Sequence, residues 1–300
     1  MAQLNWKGIY PAVLTPFKEN GEIDFEMFAK NTEAQISAGV HGIIIAGTLG
    51  DAAVLDNDEK FELLSYAKKV VAGRIPLILN IAENTTKNAV DFAKKAKELG
   101  ADGLMLLPPM RYKADDREVV EYFKAVASAT DLPILIYNNP VDYATYVSLS
   151  MFEELKDYPS IQAVKESTRD LSNITRMKNK FGDRFKVLGG VDTISLETVL
   201  LGADGLVAGL VDAFPRETMA MYNYALNGEI EKAIEIYRWF MPLLELDIHP
   251  KLIQYIKLAA TAEGICTPHV RAPRLPLVGE EATRINKIIA DGIASRPVLN

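Results

Sequence analysis

Gly100-Ala101-Asp102-Gly103-Leu104-Met105-Leu106-Leu107 is the stretch on which the fold turns. Its first glycine can take the left-handed conformation that ends a helix, and its second opens an extended segment. The apolar run behind them suits a parallel strand buried on both faces. The same design recurs at Gly39-Val40-His41-Gly42 and at Gly202-Ala203-Asp204-Gly205, so one helix-to-strand junction is used three times.

Outward from these junctions, short apolar runs cover Ile9 to Leu14, Gly42 to Ala46, Pro76 to Ile81, Gly103 to Leu107, Pro133 to Tyr137, Ile161 to Lys165, Lys186 to Gly189 and Gly205 to Ala208. Amphipathic segments alternate with them. In Asp115 to Ser128, Val119, Tyr122, Phe123 and Val126 share one helical face, and Asp115-Asp116 and Thr85-Thr86 are suitable helix caps. Eight such units without a Gly/Ser-rich linker predict the α/β class, a (β/α)8 barrel over residues 1–225. An open doubly wound sheet is the alternative, but no G-x-G-x-x-G turn follows the first strand. Helical patterns at Glu217 to Asn227, Glu229 to Leu246, Pro250 to Glu263 and Glu281 to Ala294 exceed what one closing helix requires. Residues 226–300 are therefore expected to form a C-terminal helical region packed on the barrel.

The composition of the 300 residues, 49% hydrophobic and 24% charged, is that of a soluble chain of enzyme size. A formal charge of −7 with no basic run speaks against nucleic acid or an anionic membrane as partner. The opening Met1 to Lys7 has no basic flank or apolar stretch, and no segment approaches the roughly 18 apolar residues of a membrane span. A cytoplasmic location is expected. The single Cys266 excludes an internal disulfide, and His41, His249 and His269 lack metal-ligand spacing, so neither metal nor cofactor is expected.

In a barrel the carboxyl ends of the strands converge on one mouth, where active sites of this architecture lie. Those ends carry Thr15-Pro16, Gly47-Thr48-Leu49-Gly50-Asp51, Tyr137-Asn138-Asn139-Pro140, Lys165-Glu166-Ser167, Gly189-Gly190-Val191-Asp192 and Gly209. Lys165 closes an apolar strand, where an ammonium loses hydration and its pKa falls toward the range of a nucleophile. The competing reading is a lysine that snorkels into solvent. Tyr137 points its hydroxyl into the mouth as a candidate proton relay, against the alternative of a tyrosine that merely bonds a carbonyl. Thr48 and the backbone of Leu49 and Gly50 offer donors to a small carboxylate, or else a turn whose glycine serves geometry alone. Gly189 and Gly190 leave space for substrate, and Asn139 and Val207 complete the expected lining. A lysine, a tyrosine and a threonine with no metal ligands fit imine catalysis on a 2-oxo acid.

At these residues the chain resembles the dihydrodipicolinate synthase / N-acetylneuraminate lyase family of Schiff-base-forming lyases. The resemblance runs from Gly8-Ile9-Tyr10-Pro11-Ala12-Val13-Leu14-Thr15-Pro16-Phe17 through the segments just quoted to Leu275-Pro276-Leu277, essentially the whole chain. It implies a homotetramer of barrels with C-terminal helices, Lys165 as the imine-forming lysine, Tyr137 as proton relay, and Thr48-Leu49 binding the carboxylate of a small 2-oxo acid.

Several positions depart from the family pattern. Leu49 and Asp51 stand where G-T-T-G-E or G-S-T-G-E is usual, and Asp142 stands where the synthases carry an arginine for a second carboxylate. The family's tyrosine from a neighbouring subunit falls in Pro108-Pro109-Met110-Arg111-Tyr112-Lys113, which places Arg111 at that position and in the expected binding set, or Tyr112 there if the register slips by one. Met110 to Lys113, Tyr237 to Leu244 and Val270 to Leu277 resemble the branch that deaminates 1-pyrroline-4-hydroxy-2-carboxylate to 2-oxoglutarate semialdehyde in hydroxyproline degradation. That activity is the expectation. The alternatives are a class I aldolase of the same family, cleaving 4-hydroxy-2-oxoglutarate or a sugar-derived 2-oxo acid or condensing as the synthases do, and a homologue that binds small acids without chemistry.

Overall fold

The computed structural model describes residues 3–110 and 112–299. Its strands are β1 (Gly8–Ile9), β2 (Ile43–Ile45), β3 (Leu77–Ile81), β4 (Gly103–Leu106), β5 (Ile134–Asn138), β6 (Ile161–Glu166), β7 (Lys186–Gly189) and β8 (Gly205–Leu206). All pair in parallel in the order β1-β8-β7-β6-β5-β4-β3-β2, and a parallel bridge between Ala12 and Ile44 joins the two ends. This is the predicted (β/α)8 barrel.

The apolar runs mark the strands closely, with one informative shortfall at β1. Only Gly8–Ile9 is regular strand, because Pro11 has no N–H to give to a ladder. Tyr10 and Ala12 still donate to the carbonyls of Leu206 and Ala208, and Val13 to that of Ile44. Gly39, Gly100 and Gly202 all have φ between +84° and +90°, the left-handed helix ends read from the repeated junction. The helix Asp116–Ala129 starts with Asp115 and Glu118 in a reciprocal capping box and buries Val119, Tyr122, Phe123 and Val126.

Two apolar cores result from the alternation of side chains along each strand. One lies between the sheet and the helices. The other fills the barrel with Tyr10, Ile44, Met105, Leu135, Ala163, Leu188 and Val207 among others. Trp6 closes its lower end, donating from its indole to the Gln162 side chain at 3.1 Å. The C-terminal helices Ile230–Leu244, Leu252–Ala262 and Gly279–Ala294 pack against the barrel's own helices and each other. Among the described residues no helix is long and apolar enough to cross a membrane.

Candidate active site

The period of two along β5 and β6 builds the site. Leu135 and Ala163 point into the barrel, so Tyr137 and Lys165, each two residues further on and paired in register, point inward at the mouth. Glu166 points the opposite way and is held by Asn173 at 2.6 Å and the backbone of Thr168 at 2.8 Å. The carboxylate next in sequence is thereby withheld from the lysine. Lys165 is 8% exposed, and its Nζ lies 4.1 Å from the centre of the Tyr137 ring. Among the described residues no acceptor lies within ion-pair distance of it. Burial lowers its pKa, while Asp247, Tyr143, Asp192 and Asp142 pull the other way more weakly.

One cavity at the mouth is lined by Thr48, Leu49, Tyr137, Asn139, Lys165, Gly190 and Val207, and by Asp142, Asp192, Asp247 and Arg169. Most of the expected residues are therefore brought together. Gly190 leaves room, but for neighbouring side chains: a Cβ there would lie 2.1 Å from Ser167 Oγ and 2.7 Å from Lys165 Cε. Two expectations are corrected here. Gly189 faces outward, where a Cβ would strike Thr198, because it sits one step out of phase with the inward positions. Gly50 stands outside the cavity wall, since its missing side chain admits the carbonyl of Val13 and its own carbonyl accepts from Thr15 at 2.7 Å. Arg111 lies outside the described residues.

Tyr137 does not bond Thr48. Its hydroxyl accepts from Asn139 Nδ2 at 3.1 Å, and burial raises its pKa. Asn139 also caps the short helix Pro140–Tyr143, accepting from the Asp142 N–H at 3.2 Å and donating to the Asp142 carboxylate at 2.7 Å. That turn carries Tyr143 back over the mouth. The Tyr143 hydroxyl is hydrogen-bonded to Thr48 Oγ1, and its ring meets Tyr137 edge-on at 5.5 Å between centres. Neither Tyr143 nor Asp247 stands out in the sequence. The Asn139-Pro140 pair was the available sign of a helical turn after β5.

The acidic groups of the mouth differ in how they are held. Asp192 accepts from the backbone of Gly209 and Leu210, the latter at 2.7 Å, and burial raises its pKa against those bonds. Asp247 comes from the segment between two C-terminal helices, and Gly209 makes room for it. Burial raises its carboxyl well above the usual range, with Asp192 adding to the effect. Asp51 is not part of the cavity. It is fully buried in an ion pair with Lys257 at 2.8 Å, with Arg274 at 3.3 Å, and ties the loop after β2 to the helix Leu252–Ala262.

Known proteins agree with this reading of the fold. The model of the dihydrodipicolinate synthetase family matches residues 5–291. The 4-hydroxy-tetrahydrodipicolinate synthase of Exiguobacterium sibiricum is 34% identical over 91% of this chain and 92% of its own length. The enzyme of that name from Aquifex aeolicus is 32% identical over 95% and 97%. A solved dihydrodipicolinate synthase from Bacillus anthracis superposes with a TM-score of 0.93 at 29% identity, covering 99% of this chain and 100% of that one. With a buried lysine at the end of β6 and a family match across nearly its whole length, the chain belongs to the dihydrodipicolinate synthetase family of lysine-imine lyases.

Proposed function

We propose that Lys165 forms an imine with a short 2-oxo acid and that the chain makes or breaks a bond one carbon away from it. The observation that carries this reading is the buried, unpaired Lys165 amine above the Tyr137 ring at the barrel mouth. Burial keeps more of the amine in its neutral, nucleophilic form than a solvated lysine has at the same pH. It attacks C2 of the acid, the carbonyl oxygen leaves as water, and the protonated imine draws electrons from C3. The Tyr137 hydroxyl, held by Asn139, gives a proton to the carbonyl oxygen and recovers one from the attacking nitrogen, and a second proton lets that oxygen leave as water. Thr48 and the N–H of Leu49 receive the C1 carboxylate, and Gly190 and Val207 shape the space around C3.

The relatives' names favour carbon–carbon bond formation of the synthase kind over the deamination expected from the sequence. Deamination is retained as the second reading because of the far wall of the cavity. Asp142 and Asp247 stand there, and their carboxyl groups suit hydrogen bonds to hydroxyl groups while a second carboxylate meets repulsion from Asp142. Both readings therefore take a monocarboxylate carrying hydroxyl groups. Assembly as a homotetramer belongs to the same proposal and is open to sedimentation analysis.

Two substrates separate the readings. With pyruvate and a hydroxyaldehyde, aldol activity yields a longer 2-oxo acid and no ammonia. With 1-pyrroline-4-hydroxy-2-carboxylate, a deaminase releases ammonia in proportion to substrate consumed. Ammonia release without aldol activity establishes the second reading and removes the first.

A further inference from the structure

We propose that Arg169 recruits the anionic substrate, its unpaired guanidinium at the rim of the mouth offsetting the acids there and raising the affinity for the carboxylate of an incoming 2-oxo acid. The inference rests on the imine reading of Lys165 and adds a residue to it. Three observations carry it. Arg169 is exposed and lines the same cavity as Lys165. Among the described residues neither a hydrogen bond nor an ion pair engages its guanidinium. Its backbone has φ +66°, in the left-handed region that a residue with a side chain enters at a cost.

The local sequence explains the turn and the free charge. The Glu166 carboxylate accepts from the Thr168 N–H at 2.8 Å, Thr168 Oγ1 accepts from the Asp170 N–H at 3.2 Å, and Asp170 accepts from the Ser172 N–H at 3.0 Å. Each link closes over two residues, so the chain bends at once after β6 and passes through Arg169 in a conformation that glycine takes freely. Asp170, the acid beside it, is paired with Arg176 at 2.6 Å. A glycine would complete the same turn. What the arginine adds is a positive charge in the cavity wall.

The other charged groups of that wall show why the addition matters. Asp142, Asp192 and Asp247 line the mouth and repel an approaching carboxylate, and the remaining cation is Lys165. Burial draws Lys165 toward its neutral form, which is the form that attacks C2. A lysine that has to be neutral to react cannot also hold the anion by its charge. An arginine side chain carries a permanent charge, and a cleft with such a charge in its wall gathers anions in a way that salt screens.

Pyruvate and its uncharged methyl ester are the probes. Proton NMR in D2O follows exchange at C3 across probe concentrations, which separates the half-saturating concentration from the saturating rate. Borohydride with mass spectrometry follows the adduct on Lys165 in the same samples. In Arg169→Gly, half-saturating pyruvate should rise about tenfold at about 0.01 M salt and less than about twofold at about 1 M, where the screening length falls to about 3 Å. The saturating rate should stay close to that of the parent. Methyl pyruvate should behave alike in both proteins at either salt, and Arg169→Lys should keep most of the low-salt affinity for pyruvate. Equal half-saturation in the parent and Arg169→Gly at low salt, with the adduct intact, overturns recruitment alone. A rise that persists at high salt, or that appears equally with the ester, is an effect of the turn's structure and overturns it as well. Absence of any pyruvate adduct in the parent protein overturns the imine reading and recruitment with it.

Discussion

Of the described lysines buried over aromatic rings, Lys257 has a carboxylate within ion-pair distance and Lys165 does not, while a third, Lys60 over Phe92, is held by the Asn57 side chain at 3.1 Å. Lys257 Nζ lies 4.2 Å from the centre of the Phe17 ring, and Lys165 Nζ 4.1 Å from that of Tyr137. Burial lowers the pKa of both. Lys257 is nevertheless paired with Asp51 at 2.8 Å and donates to the His269 carbonyl at 3.0 Å, with no side-chain surface exposed. Lys165 has the ring, a cavity in front of it and carboxyl groups only at longer range. A buried ammonium that is fully satisfied holds structure together. One kept short of partners tends to shed its proton and is free to react.

The largest effect expected from this contrast is on activity. Lys165→Met should lower turnover on the order of 10⁴-fold or more, because no other group at the mouth forms the imine. Its thermal midpoint should stay near that of the parent, since the substitution removes an unpaired charge from a buried position. Strong destabilisation in Lys165→Met would erase the distinction between the two lysines.

Lys257→Met should do the opposite. Removing Lys257 leaves the buried Asp51 with Arg274 at 3.3 Å as its remaining partner, and breaking a buried pair costs up to about 3–5 kcal/mol. Denaturant titration measures that loss. The folded fraction should still trap pyruvate on Lys165, so the effect on stability and the effect on imine formation come apart in one variant.

A smaller effect concerns pH. Lys165 reacts as the free amine, and its pKa lies below that of a solvated lysine. The rate of imine formation should rise with pH and level off at a lower pH than it does for a lysine in water. Asp142→Asn removes a carboxylate that favours the charged form, which shifts that rise slightly further toward acid. A rise that follows an ordinary lysine would show that burial does not tune the amine.

The same contrast sorts what the sequence made legible. The barrel could be read because each strand writes its burial into consecutive residues, as in Gly103 to Leu107, and each helix end is marked by its own glycine. Lys165 and Tyr137 could be read because the period of two places them at strand ends on the inward face. Asp51 reads in the sequence only as a departure from the family's glutamate, since its partner Lys257 lies on a distant helix and no local pattern announces the pair. Asp247 and Tyr143 were missed for the same reason. They reach the mouth through a helix connection and a four-residue turn, and neither spacing nor hydrophobic period reports such long-range closure. Gly189 shows the cost of counting strand-end residues without assigning their phase.

The most direct test is borohydride reduction in the presence of pyruvate, followed by peptide mapping of every lysine. The account predicts a single pyruvate-derived adduct, on Lys165, with Lys257 unmodified in the folded protein. An adduct on Lys257 or on a surface lysine in place of Lys165, or none across a panel of 2-oxo acids, would contradict it.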